Sequence, residues 1–332
     1  MPTSPGPKSR DAGWEPSASI DALRARADLL QRIRAFFNQR GVLEVETPAL
    51  SQRAVTDVHL ASLSALYRGP GVTTDGLSLF LVTSPELAMK RLLATGSGPI
   101  FQIARAFRDG ERGRQHNPEF TLLEWYRPGF DGVALQEEVA ALLREVAGAA
   151  RCDRRSYASL FEETLALDPH RAGLDAVIDA MRRTGLQAPP PADADEGLQL
   201  LFSHSIEPRL AASPAPVIVF DYPRGQAALA RLSASDPPVA ERFEVYWRGL
   251  ELANGFHELT DAAEQRRRFE RDREQRHRRG LPVPLADERF LSALEAGLPE
   301  CSGVALGVDR LLMAMLGARS IDEVLAFPIE RA

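Results

Sequence analysis

Phe107-Arg108-Asp109-Gly110-Glu111-Arg112-Gly113-Arg114-Gln115-His116-Asn117-Pro118-Glu119-Phe120-Thr121 is the stretch on which the reading of this chain turns. It reads as a strand, a charged loop and a return strand. Arg108 ends the first strand, where a guanidinium can hold a phosphate in fork geometry, and Phe120 on the return strand offers an aromatic face to a flat base. A distant counterpart, Gly303-Val304-Ala305-Leu306-Gly307-Val308-Asp309-Arg310, passes from a glycine-rich strand into a helix. Its Arg310 can cover the other face of the base. Two segments almost two hundred residues apart thus describe one nucleotide grip.

Outward from that grip the chain alternates hairpins with helices. Before it, Ile20 to Arg40 carries apolar residues at helical spacing (Ile20, Leu23, Ala27, Leu30, Ile33, Phe36, Phe37), with Ser19 as N-cap and Gly41 at the end. Val42 to Pro48 alternates like a strand and stops at proline. Leu79 to Thr83 predicts a strand, and Ser84 caps a helix that starts at Pro85-Glu86-Leu87 and runs to about Ala94. Ile100 to Phe107 and Glu119 to Tyr126 are the strands around the charged loop, and a helix is expected from Ala134 to Ala149.

Leu160 to Pro216 is mainly helical, broken at Ala188-Pro189-Pro190-Pro191, and reads as an insertion between halves of one domain. Val217 to Tyr222 is a buried strand. Arg242 to Tyr246 and Leu250 to His257 make a hairpin around Trp247-Arg248-Gly249. An Arg-rich helix from Asp261 to Arg279 reads as a solvated helix laced with opposite charges. Hairpins with segregated helices predict an α+β fold, an antiparallel sheet flanked by helices, not a doubly wound parallel sheet. Neither common phosphate-loop motif is present.

Composition narrows the function further. The chain has 332 residues, 44% of them hydrophobic, and a formal charge of −6, which argues against a general polyanion binder. Its two cysteines, Cys152 and Cys301, give neither a disulfide framework nor a zinc site. No apolar run approaches the ~20 residues of a membrane helix. Residues 1–19 read as a disordered tail without a signal sequence, and the expected setting is cytoplasmic.

The quoted segments closely resemble motifs 2 and 3 of the class II aminoacyl-tRNA synthetases, and the helix, strand and proline of residues 20–48 look like motif 1. Within that class, Arg108 through Tyr126, Glu251-Leu252-Ala253-Asn254-Gly255-Phe256-His257-Glu258-Leu259-Thr260-Asp261 and Gly303 through Arg310 resemble the lysyl-tRNA synthetase branch. Leu123-Glu124-Trp125-Tyr126-Arg127-Pro128 and Cys301-Ser302-Gly303-Val304-Ala305-Leu306-Gly307 look more like its paralogues, the ligases that attach (R)-β-lysine to translation elongation factor P. With motif 1 beginning about twenty residues in, the expected chain is a catalytic domain over 20–332 with no anticodon-binding domain.

The resemblance implies an AMP-forming ligase. A β-lysine carboxylate attacks the ATP α-phosphate, and the ε-amine of a lysine on elongation factor P then takes the acyl group. It implies Arg108 and Arg310 as catalytic residues, with Arg108 on the α-phosphate and Phe120 and Arg310 around adenine. Asp109, Gly110, Asn117, Glu251, Leu252 and Gly307 complete the expected ATP site. Ser84, Pro85, Glu86, Glu124, Tyr126, Asn254, Phe256, Glu258 and Ala305 are expected around the amino acid. A cluster of carboxylates calls for a cationic ligand, and a lysine-like molecule with two ammonium groups meets that need.

Glu244 and Glu251, on the two arms of one hairpin, are expected to hold Mg²⁺. Motif 1 implies a homodimer, and tRNA is not expected as the acceptor. Two other readings stay open, a truncated lysyl-tRNA synthetase and a non-catalytic binding protein. Family members carry a glutamate where this chain has Gly110, and either Asp109 or Glu111 can stand in for it. Ala305 stands where tRNA-charging relatives have glycine.

Overall fold

The computed structural model describes residues 14–332. In chain order the elements are α1 (Ile20–Asn38), β1 (Leu43–Glu44), β2 (Leu50–Ser51), β3 (Ser64–Tyr67), β4 (Leu77–Leu81), α2 (Glu86–Ala94), β5 (Ile100–Phe107), β6 (Glu119–Pro128) and α3 (Gly132–Ala147). Then come β7 (Asp153–Ser156), α4 (Tyr157–Leu165), α5 (Leu174–Arg183), α6 (Ala194–Leu201), α7 (Glu207–Ala211) and β8 (Val217–Pro223). The chain closes with β9 (Val239–Trp247), β10 (Leu250–His257), α8 (Ala262–Arg278), α9 (Glu288–Gly297), β11 (Cys301–Gly307) and α10 (Val308–Leu316).

Among the described residues the main sheet has eight strands in the order β1-β5-β6-β11-β10-β9-β8-β7. Pairing is antiparallel from β5 through to β8, as the hairpins predict. The two edges depart from the expectation, because β1 lies parallel to β5 and β7 parallel to β8. Both edge strands are short and follow or precede a helix, so the sequence offers no hairpin to reveal their direction. The strand expected over Val42 to Pro48 pairs only at Leu43 and Glu44. A second sheet of β2, β4 and β3 was not foreseen, and neither was α9.

Period-two alternation divides the main sheet into a dry face and a working face. On the dry face Leu123, Trp125, Val245, Val304 and Leu306 pack against α1, α3 and α10 through Ile33, Phe37, Val139, Leu142 and Leu311. The rings of Phe37 and Phe101 stack at 4.6 Å. Ser19 caps α1 as expected, accepting from the Ala22 amide at 3.1 Å. Of the tail expected over 1–19, residues 1–13 lie outside the described residues. Ser17 and Ala18 donate backbone hydrogen bonds to Ala326 and Leu325 of the C-terminal segment. α4 to α7 and the π-turn at Phe202–Ile206 gather a separate apolar cluster around Tyr157, Phe161 and Phe202, against β8 and β9.

Candidate active site

The working face opens into a cavity of about 1300 Å³. Strand alternation aims Phe120, Leu122, Glu124 and Tyr126 of β6, Asn254, Phe256 and Glu258 of β10 and its end, and Gly303, Ala305 and Gly307 of β11 into it. Register knits them together: Ala305 lies between Glu124 and Asn254, and Gly303 between Tyr126 and Phe256. Gly303 has to be glycine, because a Cβ there would sit 2.3 Å from the Tyr126 ring and 2.6 Å from Glu258 Oε1. Ser84, Pro85 and Glu86 bring the start of α2 to the rim. Ser84 does not cap α2 as expected. Pro85 holds the N-cap position, and Ser84 Oγ accepts only from the Glu86 amide, at 3.4 Å.

Arg108 follows β5 directly and lies over the Phe120 ring, 5.0 Å from its centroid. Its partner is Glu111, at 3.5 Å. Glu111 lines the cavity, whereas Asp109 and Gly110 do not. Gly110 adopts φ +77°, a conformation that favours glycine, and the Asp109 amide before it donates to the Ala61 carbonyl. The carboxylate facing Arg108 is Glu111.

Arg310 is pinned at its edge. It donates to the Glu251 carbonyl at 2.9 Å and the Gln115 carbonyl at 3.4 Å, and its Nη2 lies 2.7 Å from His116 Nε2. Guanidinium bonds lie in the plane of the group, so its faces stay open for stacking. Burial and the neighbouring Arg310 push His116 below its ordinary value, consistent with a neutral ring accepting from Arg310. Asn117 is a pin as well. Its Nδ2 donates to the Glu119 carbonyl and its Oδ1 accepts from the Ile329 amide, so its side chain holds the return strand and the C-terminal segment while it borders the cavity.

Glu244 and Glu251 lie in different surroundings. A bulge between Glu251 and Ala253 shifts the hairpin register, so Glu251 faces Tyr246 and Glu244 faces Asn254. Glu244 is buried and accepts from Arg242 and from the Tyr222 and Tyr246 hydroxyls. It does not reach the cavity lining. Glu251 does, with 43% of its side chain exposed and only a long 3.8 Å contact to Arg310. Desolvation within the cleft and the nearby Glu244 carboxylate push it up to about 7. The open side chain tempers that shift and leaves its direction upward. No group of three or more His, Cys, Asp or Glu among the described residues is set to hold a metal ion.

Three carboxylates, Glu86, Glu124 and Glu258, line the same cavity. The sequence reading missed the cation among them. Lys90, one turn after Glu86 on α2, lies 2.6 Å from Glu86 Oε1 and 2.5 Å from Glu258 Oε2. The Tyr126 hydroxyl donates to Glu124 Oε1 at 2.7 Å. Glu124 Oε2 and Glu258 Oε1 are buried with no hydrogen-bond partner. Burial, with like charge from Glu86, pushes Glu124 up to about 8, and Glu258 rises to about 8 mainly through burial. Orphaned carboxylate oxygens on a pocket floor need a donor from outside the protein.

The family model for class II tRNA synthetases (D, K and N) matches residues 13–331. This chain belongs to that family. Among curated relatives of this class II protein, the elongation factor P–(R)-β-lysine ligase of Proteus mirabilis (strain HI4320) is 52% identical over 98% of this chain and 100% of its own. Ligases of the same name from Salmonella paratyphi B and Salmonella enteritidis PT4 are 51% identical over the same shares. The antiparallel core is therefore a class II synthetase fold, as the motifs imply.

Proposed function

We propose that this chain uses ATP to activate (R)-β-lysine as an acyl-adenylate and transfers it to the ε-amine of a lysine on elongation factor P. The observation that carries the reading is the pair of partnerless buried oxygens, Glu124 Oε2 and Glu258 Oε1, on the same sheet face as the Arg108–Phe120 grip. Those oxygens suit the ammonium groups of a diamino acid. Asn254 suits its carboxylate, because Oδ1 accepts from Arg242 and leaves the amide N–H groups for the cavity. Arg108 then neutralises charge developing at the α-phosphate, and the open faces of Arg310 and Phe120 hold adenine between them.

ATP brings Mg²⁺ in this proposal. Glu251 fits it, as a carboxylate open to the cavity, since Mg²⁺ needs only one or two protein carboxylates beside phosphate oxygens. When bound, the ion offsets charge on the phosphates. The incoming lysine amine must shed a proton to attack, and the adenylate phosphate is the acceptor within reach of the reacting carbonyl. The proposal extends to a homodimer through the motif 1 region, where Leu43 and Leu50 are exposed, and to the cytoplasm as the setting. No helix among the described residues is long and apolar enough to cross a membrane.

The test is purified protein with ATP, Mg²⁺, elongation factor P and either (R)-β-lysine or α-lysine, read by intact mass. The expected result is one β-lysyl adduct on elongation factor P, formed faster than any α-lysyl adduct. Adenylate formation with charging of tRNA in place of the factor would overturn the protein-acceptor reading. Absence of ATP–pyrophosphate exchange with either isomer would overturn the ligase.

A further inference from the structure

Lys90 stands in the amino-acid pocket as a resident cation. Its side chain is 2% exposed, at the end of a stem packed among the rings of Phe256, Tyr126 and Phe290, which lie 5.4, 6.0 and 6.0 Å from Nζ. Three carboxylates against one ammonium leave the pocket two negative charges when all are ionised. Two ammonium groups can each meet one of those charges, and a single ammonium leaves one carboxylate without a cation.

Without Lys90 the same carboxylates would face one another in a desolvated site with no protein cation between them, and Glu124 and Glu258, already pushed up, would hold protons to higher pH still. A protonated carboxyl offers a donor where the substrate ammonium needs an acceptor. Lys90 also fixes geometry. It occupies one oxygen each of Glu86 and Glu258, so Glu258 turns Oε1 towards the cavity, over Gly303.

We propose that Lys90 is a positioning residue for the amino acid: it sets a positive charge between Glu86 and Glu258, holds each by one oxygen, and so shapes the pocket for a substrate with two ammonium groups. The inference rests on the reading of this cavity as a β-lysine site. Lys90 touches the glutamates and not the reacting atoms, so its loss acts on amino-acid binding and leaves the chemical step alone.

The experiment is ATP–pyrophosphate exchange with (R)-β-lysine by the full-length wild type, Lys90→Met and Lys90→Arg, with melting curves as the folding control. In Lys90→Met the amino-acid KM is expected to rise about tenfold or more, the scale of one pKa unit. KM for ATP and kcat are expected to stay within about twofold, the pattern of lost ground-state binding. The pH at which the amino-acid KM is lowest moves upward, because Glu124 and Glu258, facing Glu86, Tyr126 and Cys301, lose the cation that lowers them and hold protons to higher pH. Lys90→Arg retains the charge and recovers most of the affinity.

Should Lys90→Met not fold, Lys90→Gln is read the same way. Wild-type exchange with an unchanged amino-acid KM and pH profile in the variant overturns the inference alone, as does an equal loss in kcat and both KM values. A wild type inactive with both lysine isomers overturns the functional reading and this inference with it.

Discussion

Arg26 on α1 and Asp309 at the start of α10 stand 283 residues apart in sequence, and their side chains meet at 2.6 Å. The second oxygen of Asp309 accepts from the Thr121 amide at 2.7 Å, while Arg26 Nη2 donates to the Thr121 hydroxyl at 2.7 Å. One buried carboxylate therefore ties the first helix, the return strand behind Phe120 and the helix that carries Arg310. Removing one partner of such a pair leaves the other charge uncompensated, at about 3–5 kcal/mol. Arg26→Leu is expected to lose about 3 kcal/mol of unfolding free energy in chemical denaturation, and Asp309→Asn a similar amount. A double-mutant cycle should return clear coupling between them. Coupling under about 0.5 kcal/mol, the limit for independent sites, would show that the three segments are held by apolar packing instead.

The placement of Glu111 beside Arg108 gives a second prediction. Arg108→Ala should lower the rate of adenylate formation by about 10²–10³, the scale for losing one preorganised donor at a developing charge. Glu111→Gln should raise the KM for ATP more than Asp109→Asn does, because only Glu111 borders the cavity. Steady-state ATP–pyrophosphate exchange compares the two directly. A larger effect from Asp109→Asn would mean that the loop turns over when ATP binds.

The meeting of Arg108, Phe120 and Arg310 at one cavity was legible because its two halves are local: a strand–loop–strand and a strand–helix junction, each written in consecutive residues. The α+β class followed from hairpins, and the buried alternation of β6 from its period of two. Features that depend on another part of the chain were not legible. The parallel edges of β1 and β7 are set by partners distant in sequence. The surroundings of Glu244 depend on the bulge after Glu251 and on Tyr222 arriving from β8, which its hairpin position does not reveal. Lys90 was passed over because lysines are rarely buried. The four-residue spacing from Glu86 was the available signal, but only folding brings Glu258 to the same ammonium.

The raised pKa of Glu124 makes a prediction about stability. Its carboxyl goes from an ordinary 4.5 up to about 8, by burial first and the Glu86 charge second. The native state then binds that proton more tightly than the unfolded chain does. The stabilisation is complete below about 4.5 and is lost as pH rises towards 8. Ligand-free protein should therefore lose more Tm between about pH 5.5 and 8.5 than Glu124→Gln, which keeps a neutral group of the same shape. Amino-acid affinity should move the other way and increase over this range as the carboxylate forms. Parallel melting profiles for the two proteins would show that Glu124 is already ionised near neutral pH.

Ala305 gives the sharpest test of substrate choice. It lies on β11 between Glu124 and Asn254, with its methyl on the cavity wall between a group suited to an ammonium and one suited to the carboxylate. A β-amino acid carries its ammonium one carbon further from its carboxylate than an α-amino acid does, so a methyl at this point bears on the distance between the two groups. One carbon's worth of fit in a pocket amounts to about 1–3 kcal/mol, or about 10–200-fold in kcat/KM. Ala305→Gly is expected to shift the ratio of α- to β-lysine activation towards α-lysine within that range. The strand should persist, since the backbone pairs of residue 305 do not involve its side chain. ATP–pyrophosphate exchange with each isomer gives the ratio. If it stays constant while both activities change together, the methyl is packing and the discrimination lies with Glu124 and Glu258.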